Sequence, residues 1–550
     1  MSDQLSGTGV SPGIAVGPVV QMGLPIGELP EPTARGDAQL ETQRANRALD
    51  EVARDLERRQ ERATGTAAEV LFAQSMMARD PVLLDAVAAE AATGRPAPHA
   101  VNAAIRGFRE QLVAAGGYMA ERAADLDDLR NRCIARLLHL PMPGVPDRDD
   151  PFVLVAGDLA PADTVDLDPA LVVALVTERG GATSHTAIIA KAMGLPAVVT
   201  CPGITAVREE TRVIVDGSTG LVTLDPADDQ VAAAQRRAAA RAELLESSSG
   251  PGRTLDGQRV ELLLNLGSTS EADAADVDAE GVGLLRTEFL FLDRTTEPTV
   301  DEQVEAYARL FAAFGGRKVV VRTLDVGADK PLPFVEPGPG DNPALGLRGW
   351  RLGERNPGLL ERQLDAIAAA AAGSQCDTWV MAPMIATVEE AAAFTDRAHA
   401  AGHATAGVMV EVPSLALRAG ELMRVVDFVS IGTNDLSQYT FAADRLVGEL
   451  GDLLDPWQPA LLELVARTAQ AGVAAHVPVG VCGEAASDPY LALVLAGVGC
   501  SSLSMARGSL PQVRVSLAGV TVQRCRDLAQ IALAAPDART ARAKTAAELG

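Results

Sequence analysis

Apolar residues recur at every third and fourth position over residues 37–139, as in Leu49, Val52 and Leu56. This spacing is typical of amphipathic helices, so we predict a helical bundle over this stretch. Before it, residues 7–20 are punctuated by Gly and Pro in the manner of a pair of short strands. The chain is therefore predicted to begin with strands and to continue into a bundle of helices.

Strand-like apolar runs resume at residues 152–156 and continue to 213–224, which predicts a small α/β domain that the N-terminal strands complete. A predicted helix over 228–245 follows, and the Ser/Gly/Pro stretch 247–252 reads as a linker and hinge. The polar segment 521–550 is expected to be a helix or a loose tail. The boundaries that we assign are 1–25 for the N-terminal strands, 26–145 for the helical subdomain, 146–226 for the α/β domain, 227–254 for the linker helix and hinge, and 255–550 for the last domain with its tail.

Beyond the linker, short apolar runs alternate with helical segments over about 280 residues, an arrangement that fits a (β/α)₈ barrel. The eight strand-like runs, of which the fourth is weak, are 260–266, 281–285, 318–324, 345–347, 379–384, 407–412, 426–431 and 477–481. The predicted fold class is thus multidomain α/β: a helical bundle inserted in a small α/β domain, then a C-terminal (β/α)₈ TIM barrel.

Composition narrows the class of partner. The 550 residues carry a net charge of −25, which argues against nucleic acid or an anionic membrane and favours a basic protein partner. Six scattered cysteines without a CxxC spacing indicate reduced thiols in a cytoplasmic protein. No secretion signal and no segment long enough to span a bilayer are evident, so no membrane insertion is expected.

The segment 180–191 reads Gly-Gly-Ala-Thr-Ser-His-Thr-Ala-Ile-Ile-Ala-Lys and follows an apolar run. It predicts strand, glycine turn and helix, with Thr183 or Ser184 as cap and Gly194 at the helix end. His185 then lies at a helix N-terminus, where free N–H groups suit a phosphate and a neutral imidazole can act as a nucleophile. The alternative is a packed histidine on a capped helix.

Charged residues gather after the predicted barrel strands, where active sites of such barrels lie. The basic ones are Arg286, Arg322, Lys330, Arg348 and Arg445. They predict a cationic barrel mouth that binds a small, multiply charged anion, because arginine forks fit phosphate and carboxylate. Glu411 and Asp435 are oxygen donors that could hold Mg²⁺ with water and substrate oxygens. The alternative is a set of salt bridges at a barrel rim.

Cys482 ends a predicted strand inside Val-Cys-Gly-Glu. A lone cysteine there is more often buried packing, but a thiol at the mouth of an anion site could donate a proton to carbon.

Taken together, the motifs resemble Enzyme I of the bacterial sugar phosphotransferase system, the family of phosphoenolpyruvate–protein phosphotransferases. The resemblance covers nearly the whole chain. The segments that carry it are 11–15, 180–186, 281–294, 322–330, 342–348 and 427–436. Any one of them alone also fits a pyruvate phosphate dikinase or a phosphoenolpyruvate synthase; their order and spacing are specific.

The resemblance implies an enzyme that moves the phosphoryl group of phosphoenolpyruvate to its own histidine and then to the carrier protein HPr, releasing pyruvate. This transfer is the first step of sugar uptake in the family. His185 matches the phosphorylated histidine of the swivelling phosphohistidine domain, and Thr183 its neighbouring hydroxyl. The remaining matches are Arg286, Arg322 and Arg348 for phosphate binding, Glu411 and Asp435 for Mg²⁺, Asn434 and Arg445 for further substrate contacts, and Cys482 for protonation of the enolate.

The resemblance further implies that HPr docks on the helical subdomain and that the barrel mediates a homodimer. The sequence departs from many relatives in that subdomain, where Gln74 and Arg79 stand in a stretch that elsewhere carries histidine and an extra acid. Met76, Met77 and Asp80 remain as possible HPr contacts, although a methionine pair in a helix is more often core.

Two other functions are compatible with parts of the pattern. A dikinase or synthase that is phosphorylated by ATP would need a further nucleotide-binding domain, and no Walker-type lysine loop is found. A non-catalytic docking protein on the same fold would be expected to have lost some of the charged residues at the strand ends.

Overall fold

The computed structural model describes residues 3–23, 26–32, 36–60, 66–115, 123–146, 148–159, 167–168, 170–181, 185–292, 294–327, 332–335, 342, 344–356, 358–445 and 448–549, with backbone alone at 66–70, 73, 111–115, 123–124, 185, 188, 192 and 448–449. Two compact units divide the chain. The first comprises residues 1–8, 14–179 and 195–234, and the second comprises 9–13, 180–194 and 235–550.

The first unit contains the helical bundle that the periodicity predicts. Its described helices are α1 (Ala38–Gln60), α2 (Thr66–Ala78), α3 (Pro81–Ala92), α4 (Ala97–Ala115) and α5 (Ala123–Leu138). Leu49, Val52 and Leu56 form one buried stripe of α1 in the bundle core. Asp80 caps α3 by accepting a hydrogen bond from the backbone N–H of Val82. The apolar stripes are therefore what assembles this bundle.

A mixed sheet forms the rest of the first unit. The N-terminal strands are β1 (Gln4–Ser6), β2 (Thr8–Ser11) and β3 (Ile14–Gln21), of which β2 falls mostly in the second unit, and the later ones are β4 (Phe152–Ala156), β5 (Val172–Thr177), β6 (Ala197–Val199), β7 (Arg212–Asp216) and β8 (Leu221–Leu224). Neighbours run in the order β1-β8-β7-β3-β4-β5-β6. Strands β3 to β6 are parallel, whereas β7 pairs antiparallel with β3 and β8. The bundle is thus inserted between β3 and β4.

Two further helices are α6 (His185–Met193) and α7 (Asp228–Glu246). The N–H of Gly194 donates to the carbonyl of Lys191, and Gly194 has a φ of +68°, so a glycine ends α6 where the sequence predicted.

The second unit is built on a closed barrel of eight parallel strands, in which the last strand pairs with the first. The strands are β9 (Glu261–Leu266), β10 (Gly281–Leu285), β11 (Lys318–Arg322), β12 (Asp377–Ala382), β13 (Ala406–Val410), β14 (Phe428–Ile431), β15 (Val479–Val481) and β16 (Ser502–Met505). A continuous apolar core lies between these strands and the surrounding helices. This confirms the predicted TIM barrel.

The helices of the barrel unit follow the strands. They are α8 (Phe289–Leu292), α9 (Val300–Ala313), α10 (Trp350–Arg355), α11 (Leu359–Ala372), α12 (Val388–Ala400), α13 (Pro413–Leu417), α14 (Ala419–Leu422), α15 (Thr433–Phe441), α16 (Pro459–Ala475), α17 (Pro489–Val498), α18 (Leu510–Ala518), α19 (Val522–Leu533) and α20 (Ala538–Ala547). The C-terminal segment is therefore helical rather than loose. No described helix combines the length and the apolar character that crossing a membrane requires.

One of the eight predicted strands is wrong. Residues 345–347 form bends rather than a strand, with Gly346 at a φ of +79°. The eighth strand is instead Ser502–Met505, whose Ser504 hydroxyl lies inside the barrel and donates to the carbonyl of Leu264. Serines at alternate positions interrupt the apolar pattern of this strand, so the pattern did not predict it. Because residues 345–347 are not a strand, each predicted strand after them lies one position earlier in the barrel order.

Candidate active site

A cavity of about 260 Å³ lies at the carboxyl ends of the barrel strands. The predicted site residues that line it are Arg286, Arg322, Arg348, Glu411, Asn434, Asp435, Arg445 and Cys482. Leu284, Asp325, Met409, Gly432 and Gly483 complete the lining. Residues from seven separate segments of the chain therefore meet in one volume, as the barrel topology requires.

Three predicted residues are not in this group. Thr183 and Lys330 lie outside the described residues. Only the backbone of His185 is described, as the first residue of α6. His185 is the first residue of a nine-residue helix, so its position at a helix N-terminus is as the sequence predicted.

Asp325 joins two of the arginines. Its Oδ2 lies 2.9 Å from Nη1 of Arg322 and 2.9 Å from Nη2 of Arg348, and its Oδ1 accepts from Nε of Arg348 at 2.8 Å. Arg322 also donates through Nη2 to Glu288 at 2.9 Å. Burial lowers the pKa of both guanidinium groups, but the carboxylates around them outweigh burial and raise it overall. Both arginines therefore stay charged and are held in fixed orientations.

Among the described residues, carboxylates lie close to the arginines of the cavity, while Lys330, the fifth basic residue predicted for the mouth, lies outside the described residues. Arg348 Nη1 lies 3.1 Å from Oδ1 of Asp435, and Arg445 Nη1 lies 3.7 Å from Oδ2 of the same carboxylate. The four arginines Arg286, Arg322, Arg348 and Arg445 thus meet the four acids Glu288, Asp325, Glu411 and Asp435. Salt bridges at the rim, the alternative raised above, are present, and a polyanion would need added positive charge to bind here.

Glu411 supplies the clearest place for that charge. It is fully buried, and its Oε1 accepts from the backbone N–H of Met384 at 2.5 Å. Its Oε2 has no hydrogen-bond partner among the described residues. Burial, together with the nearby Asp435 and Asp325, raises the pKa of this carboxyl. An unpaired buried carboxylate oxygen is a costly feature that a bound cation would satisfy.

Gly432 leaves room for such an ion, because a Cβ at this position would come within 2.8 Å of Oε2 of Glu411. Among the described residues, no group of three or more His, Cys, Asp or Glu side chains is arranged so that it could hold a metal ion alone. A cation would therefore rely on Glu411, Asp435 and oxygens from substrate and water, which is how Mg²⁺ is commonly held. The residues present fit a hard divalent cation.

Cys482 lies in the apolar floor of the cavity with Leu284 and Met409. Its thiol points to the carbonyl of Ile431 at 3.6 Å, and its own carbonyl accepts from the side-chain amide of Asn265 at 3.0 Å. Burial raises the pKa of the thiol to about 11. The thiol of Cys482 is therefore protonated at neutral pH, buried and in the lining of the cavity. Buried packing and a role as proton donor, the two alternatives raised for it, are compatible with each other.

Sequence reasoning missed a buried polar cluster behind the arginines. The Gln363 side chain donates to Thr287 Oγ1 and to the Tyr307 hydroxyl, each at 3.1 Å, and accepts from the N–H of Leu324 at 2.9 Å. Thr287 in turn donates to the carbonyl of Arg322 at 3.0 Å. A single polar residue on the apolar face of α11 was the available signal. This cluster ties the ends of β10 and β11 together.

Comparison with known proteins shows the family to which the chain belongs. The PEP-binding domain of PEP-utilising enzymes matches residues 241–522, their mobile domain matches 148–220, and their N-terminal domain matches 6–122. A phosphoenolpyruvate-protein phosphotransferase of Streptomyces coelicolor is 51% identical over 553 residues, covering 100% of both chains. The chain belongs to the phosphoenolpyruvate–protein phosphotransferase family, Enzyme I.

Other relatives agree with this family. The phosphoenolpyruvate-protein phosphotransferase of Haloferax volcanii is 40% identical and covers 96% of this chain and 97% of its own. A multiphosphoryl transfer protein of Xanthomonas campestris is 36% identical and covers 99% of this chain and 67% of its own. Membership in the Enzyme I family makes the chain a phosphotransferase, and PEP-utilising enzymes generally use a divalent metal.

Proposed function

We propose that the chain transfers the phosphoryl group of phosphoenolpyruvate to His185 and then to the histidine of the carrier HPr, releasing pyruvate. This step would begin sugar uptake through a phosphotransferase system. The observation that carries the proposal is the convergence of Arg322, Arg348, Glu411 and Cys482 in one cavity.

The arginines suit the phosphate and carboxylate of the substrate. Nη1 and Nη2 of Arg322 pair with the carboxylates of Asp325 and Glu288. Its buried Nε has no hydrogen-bond partner among the described residues. Each terminal nitrogen carries a second hydrogen, so donors remain for substrate oxygens after the ion pairs are made. Two fixed guanidinium groups with spare donors stabilise the charge that spreads over a phosphoryl group during transfer.

The reaction then needs a nucleophile and an acid. A ring nitrogen of His185 forms the bond to phosphorus as the bond from phosphorus to the enol oxygen breaks. The thiol of Cys482 gives its proton to the methylene carbon of the enolate, which yields pyruvate, and the thiolate regains a proton from solvent. A pKa raised to about 11 keeps that proton on sulphur at neutral pH.

Glu411 and Asp435 are the residues that would hold Mg²⁺. When bound, the ion would offset phosphate charge and polarise the substrate carboxylate. Release of Asp435 from Arg348 and Arg445 would accompany metal binding, because the same carboxylate oxygens serve both.

HPr is proposed to dock on the helical bundle. Phe72 and Met76 lie one turn apart on α2 with 52% and 58% of their surface exposed. Met77 packs partly against the bundle core and Gln74 is buried near Asp128, so only part of the predicted stretch faces outward. An exposed apolar pair suits a small carrier that presents a partly apolar face.

Labelled phosphoenolpyruvate tests the first transfer. The protein with Mg²⁺ should acquire an acid-labile, base-stable phosphohistidine, and His185→Ala should acquire none. Labelling of His185 by ATP in the absence of phosphoenolpyruvate would instead favour a dikinase or synthase. Label on the protein without any release of pyruvate would contradict the proposed reaction.

A second experiment tests the carrier surface. Phe72→Ala with Met76→Ala should raise the KM for HPr about tenfold while labelling of His185 stays within twofold, since buried apolar contacts at an interface are each worth about 1 kcal/mol or more. Val473→Ala, which changes an exposed apolar residue of the barrel unit, is the matched control.

The cytoplasmic location and the homodimer through the barrel stay predictions. Sedimentation velocity tests the dimer.

A further inference from the structure

The hydroxyl of Tyr439 lies behind the substrate cavity and belongs to α15. It stands one helical turn after Asp435, so both side chains lie on the same face of the helix. The ring is partly buried, and burial raises the pKa of the phenol, which therefore remains a hydrogen-bond donor at neutral pH. Tyr439 is not part of the cavity lining.

Two other segments of the barrel unit meet α15 at this hydroxyl, namely residues 344–349 and the segment of Met384. It donates to the backbone carbonyl of Ala344. It accepts from Nη1 of Arg348 at 3.5 Å, the same nitrogen that reaches Asp435. It also lies 4.0 Å from the sulphur of Met384, whose backbone N–H holds Glu411.

The segment that delivers Arg348 is irregular. Residues 344–349 form turns and bends between β11 and α10, with Gly346 and Gly349 at φ values of +79° and +56°. Its backbone is tied to the end of β11 by a bond from Gly349 N–H to the carbonyl of Val326 at 3.0 Å. The guanidinium of Arg348 is held by Asp325 and Asp435, and the bond between Tyr439 and Ala344 ties the backbone of the same segment to the helix that carries Asp435. Tyr439 thus links the backbone that positions Arg348 to the helix that carries one of its ion-pair partners.

We infer that Tyr439 is a positioning residue for substrate binding: its hydroxyl keeps residues 344–349 in place so that Arg348 meets the substrate in a fixed orientation. The inference rests on the proposed function, because it assumes that Arg348 contacts the phosphate of phosphoenolpyruvate. Tyr439 itself touches no reacting atom. Its role is to keep the binding-competent arrangement populated before substrate arrives.

Removing the hydroxyl alone isolates this role. Tyr439→Phe keeps the ring and loses the three contacts of the hydroxyl, with Ala344, Arg348 and Met384. In this variant, residues 344–349 must become ordered when substrate binds. The free energy of that ordering raises the substrate complex and the transition state by the same amount relative to free enzyme. The KM for phosphoenolpyruvate should rise about fivefold, equivalent to about 1 kcal/mol, while kcat stays within twofold.

Hydrogen exchange gives a readout that does not depend on turnover. A peptide spanning residues 342–352 should exchange several times faster in Tyr439→Phe than in wild type, because the N–H of Gly349 loses its support. Peptides from β13 and β14 should be unchanged. Tyr490→Phe, on α17 and outside the cavity lining, is the matched control and should change neither the KM nor the exchange of residues 342–352.

The outcomes separate the inference from the proposed function. If wild type does not turn over phosphoenolpyruvate, the proposed function fails whatever the variant does. If wild type is active, an unchanged KM in Tyr439→Phe overturns the inference. A lower kcat at unchanged KM assigns the hydroxyl to the chemical step, and a lower melting temperature at unchanged KM makes it merely structural; either result also overturns the inference.

Discussion

The barrel mouth and the outer face of the helical bundle both carry arginine–carboxylate pairs, yet the two sets differ in burial. At the mouth, Arg322 has 8% of its side chain exposed and Asp325 only 1%. On the bundle, Arg79 pairs with Asp50 at 3.2 Å, with side chains 39% and 43% exposed. Similar contacts therefore sit in very different surroundings.

Burial decides what each pair does. Charges withdrawn from water must keep their partners, so a buried network fixes geometry and tolerates little change. Exposed pairs are screened by water and contribute little to stability. The contrast teaches that the mouth is built to hold a substrate in one orientation, whereas the bundle surface leaves its side chains free to adapt to a partner.

Asp325→Asn changes the buried ion pairs of the barrel mouth and is expected to have the largest effect on activity. The neutral amide has one acceptor oxygen where the carboxylate has two, so its NH₂ group faces a guanidinium donor, and the two buried guanidinium groups lose a compensating negative charge. Loss of one partner of a buried ion pair costs about 3–5 kcal/mol, so kcat/KM for phosphoenolpyruvate should fall about 10³-fold. Steady-state pyruvate release is the measurement.

An exposed carboxylate on the same barrel serves as control for Asp325. Asp396→Asn, on the outer helix α12, should leave kcat/KM within twofold. Circular dichroism and a thermal melt check that Asp325→Asn remains folded. A folded Asp325→Asn protein with more than a tenth of wild-type activity would mean that the two arginines do not depend on a shared carboxylate.

Cys482→Ala tests the acid in the cavity floor. Burial raises the pKa of this thiol to about 11, so the proton is present at every pH well below 11 and lost only as pH rises through that value. Pyruvate release should therefore be about 10²-fold slower without the thiol, as expected for loss of a general acid, while the affinity for phosphoenolpyruvate stays within twofold. Stopped-flow measurement of pyruvate gives the rate.

Cys500→Ala is the matched control for Cys482, since Cys500 is also a buried thiol with a raised pKa but is not among the residues that line the cavity. It should release pyruvate at the wild-type rate. In wild type, the rate should show no loss attributable to the thiol between pH 6 and pH 9. A wild-type rate in Cys482→Ala would assign the proton to another group.

Much of the barrel and its mouth could be predicted, because barrel topology turns sequence position into spatial position. A charged residue directly after a buried strand, such as Glu411, must lie at the mouth once the strands close. The cysteine in Val-Cys-Gly-Glu follows the same rule. The apolar spacing of Leu49, Val52 and Leu56 likewise predicted the bundle, since burial of one helix face is what that spacing means.

The remainder depends on contacts that no local pattern encodes. Ser502 and Ser504 break the apolar signal of the eighth strand because the polar side chain of Ser504 bonds inside the barrel. Arg348 does not follow a strand at all, and reaches the cavity from an irregular segment. The pairing of arginines with acids, including Asp325, arises only when separate strand ends meet, which is why the sequence indicated the arginines but not their ion-pair partners.

Gly432→Ala sharpens the comparison by adding one methyl group to the rigid site. Its Cβ would lie 2.8 Å from Oε2 of Glu411 and 2.9 Å from Cε of Met409, so the carboxylate must shift from its present position. Binding of Mn²⁺, used as a probe for the divalent site and followed by electron paramagnetic resonance, should weaken about tenfold, or about 1.4 kcal/mol. Gly420→Ala, where a Cβ meets nothing within 4 Å, should bind Mn²⁺ as wild type does. Equal affinity in the two variants would argue against Glu411 as a ligand.

Arg79→Gln tests the adaptable half and should have the smallest effect. Arg79 bonds to Asp50 and Glu57, and all three side chains are substantially exposed, so water replaces the lost contacts. The melting temperature and the rate of His185 labelling should both match wild type within error. Because the partner surface is expected to tolerate rearrangement of its charges, the KM for HPr should also change less than twofold. A fall in melting temperature of more than about 4 °C, the size expected from a lost structural interaction, would show that the bundle relies on its surface pairs as the barrel relies on its buried ones.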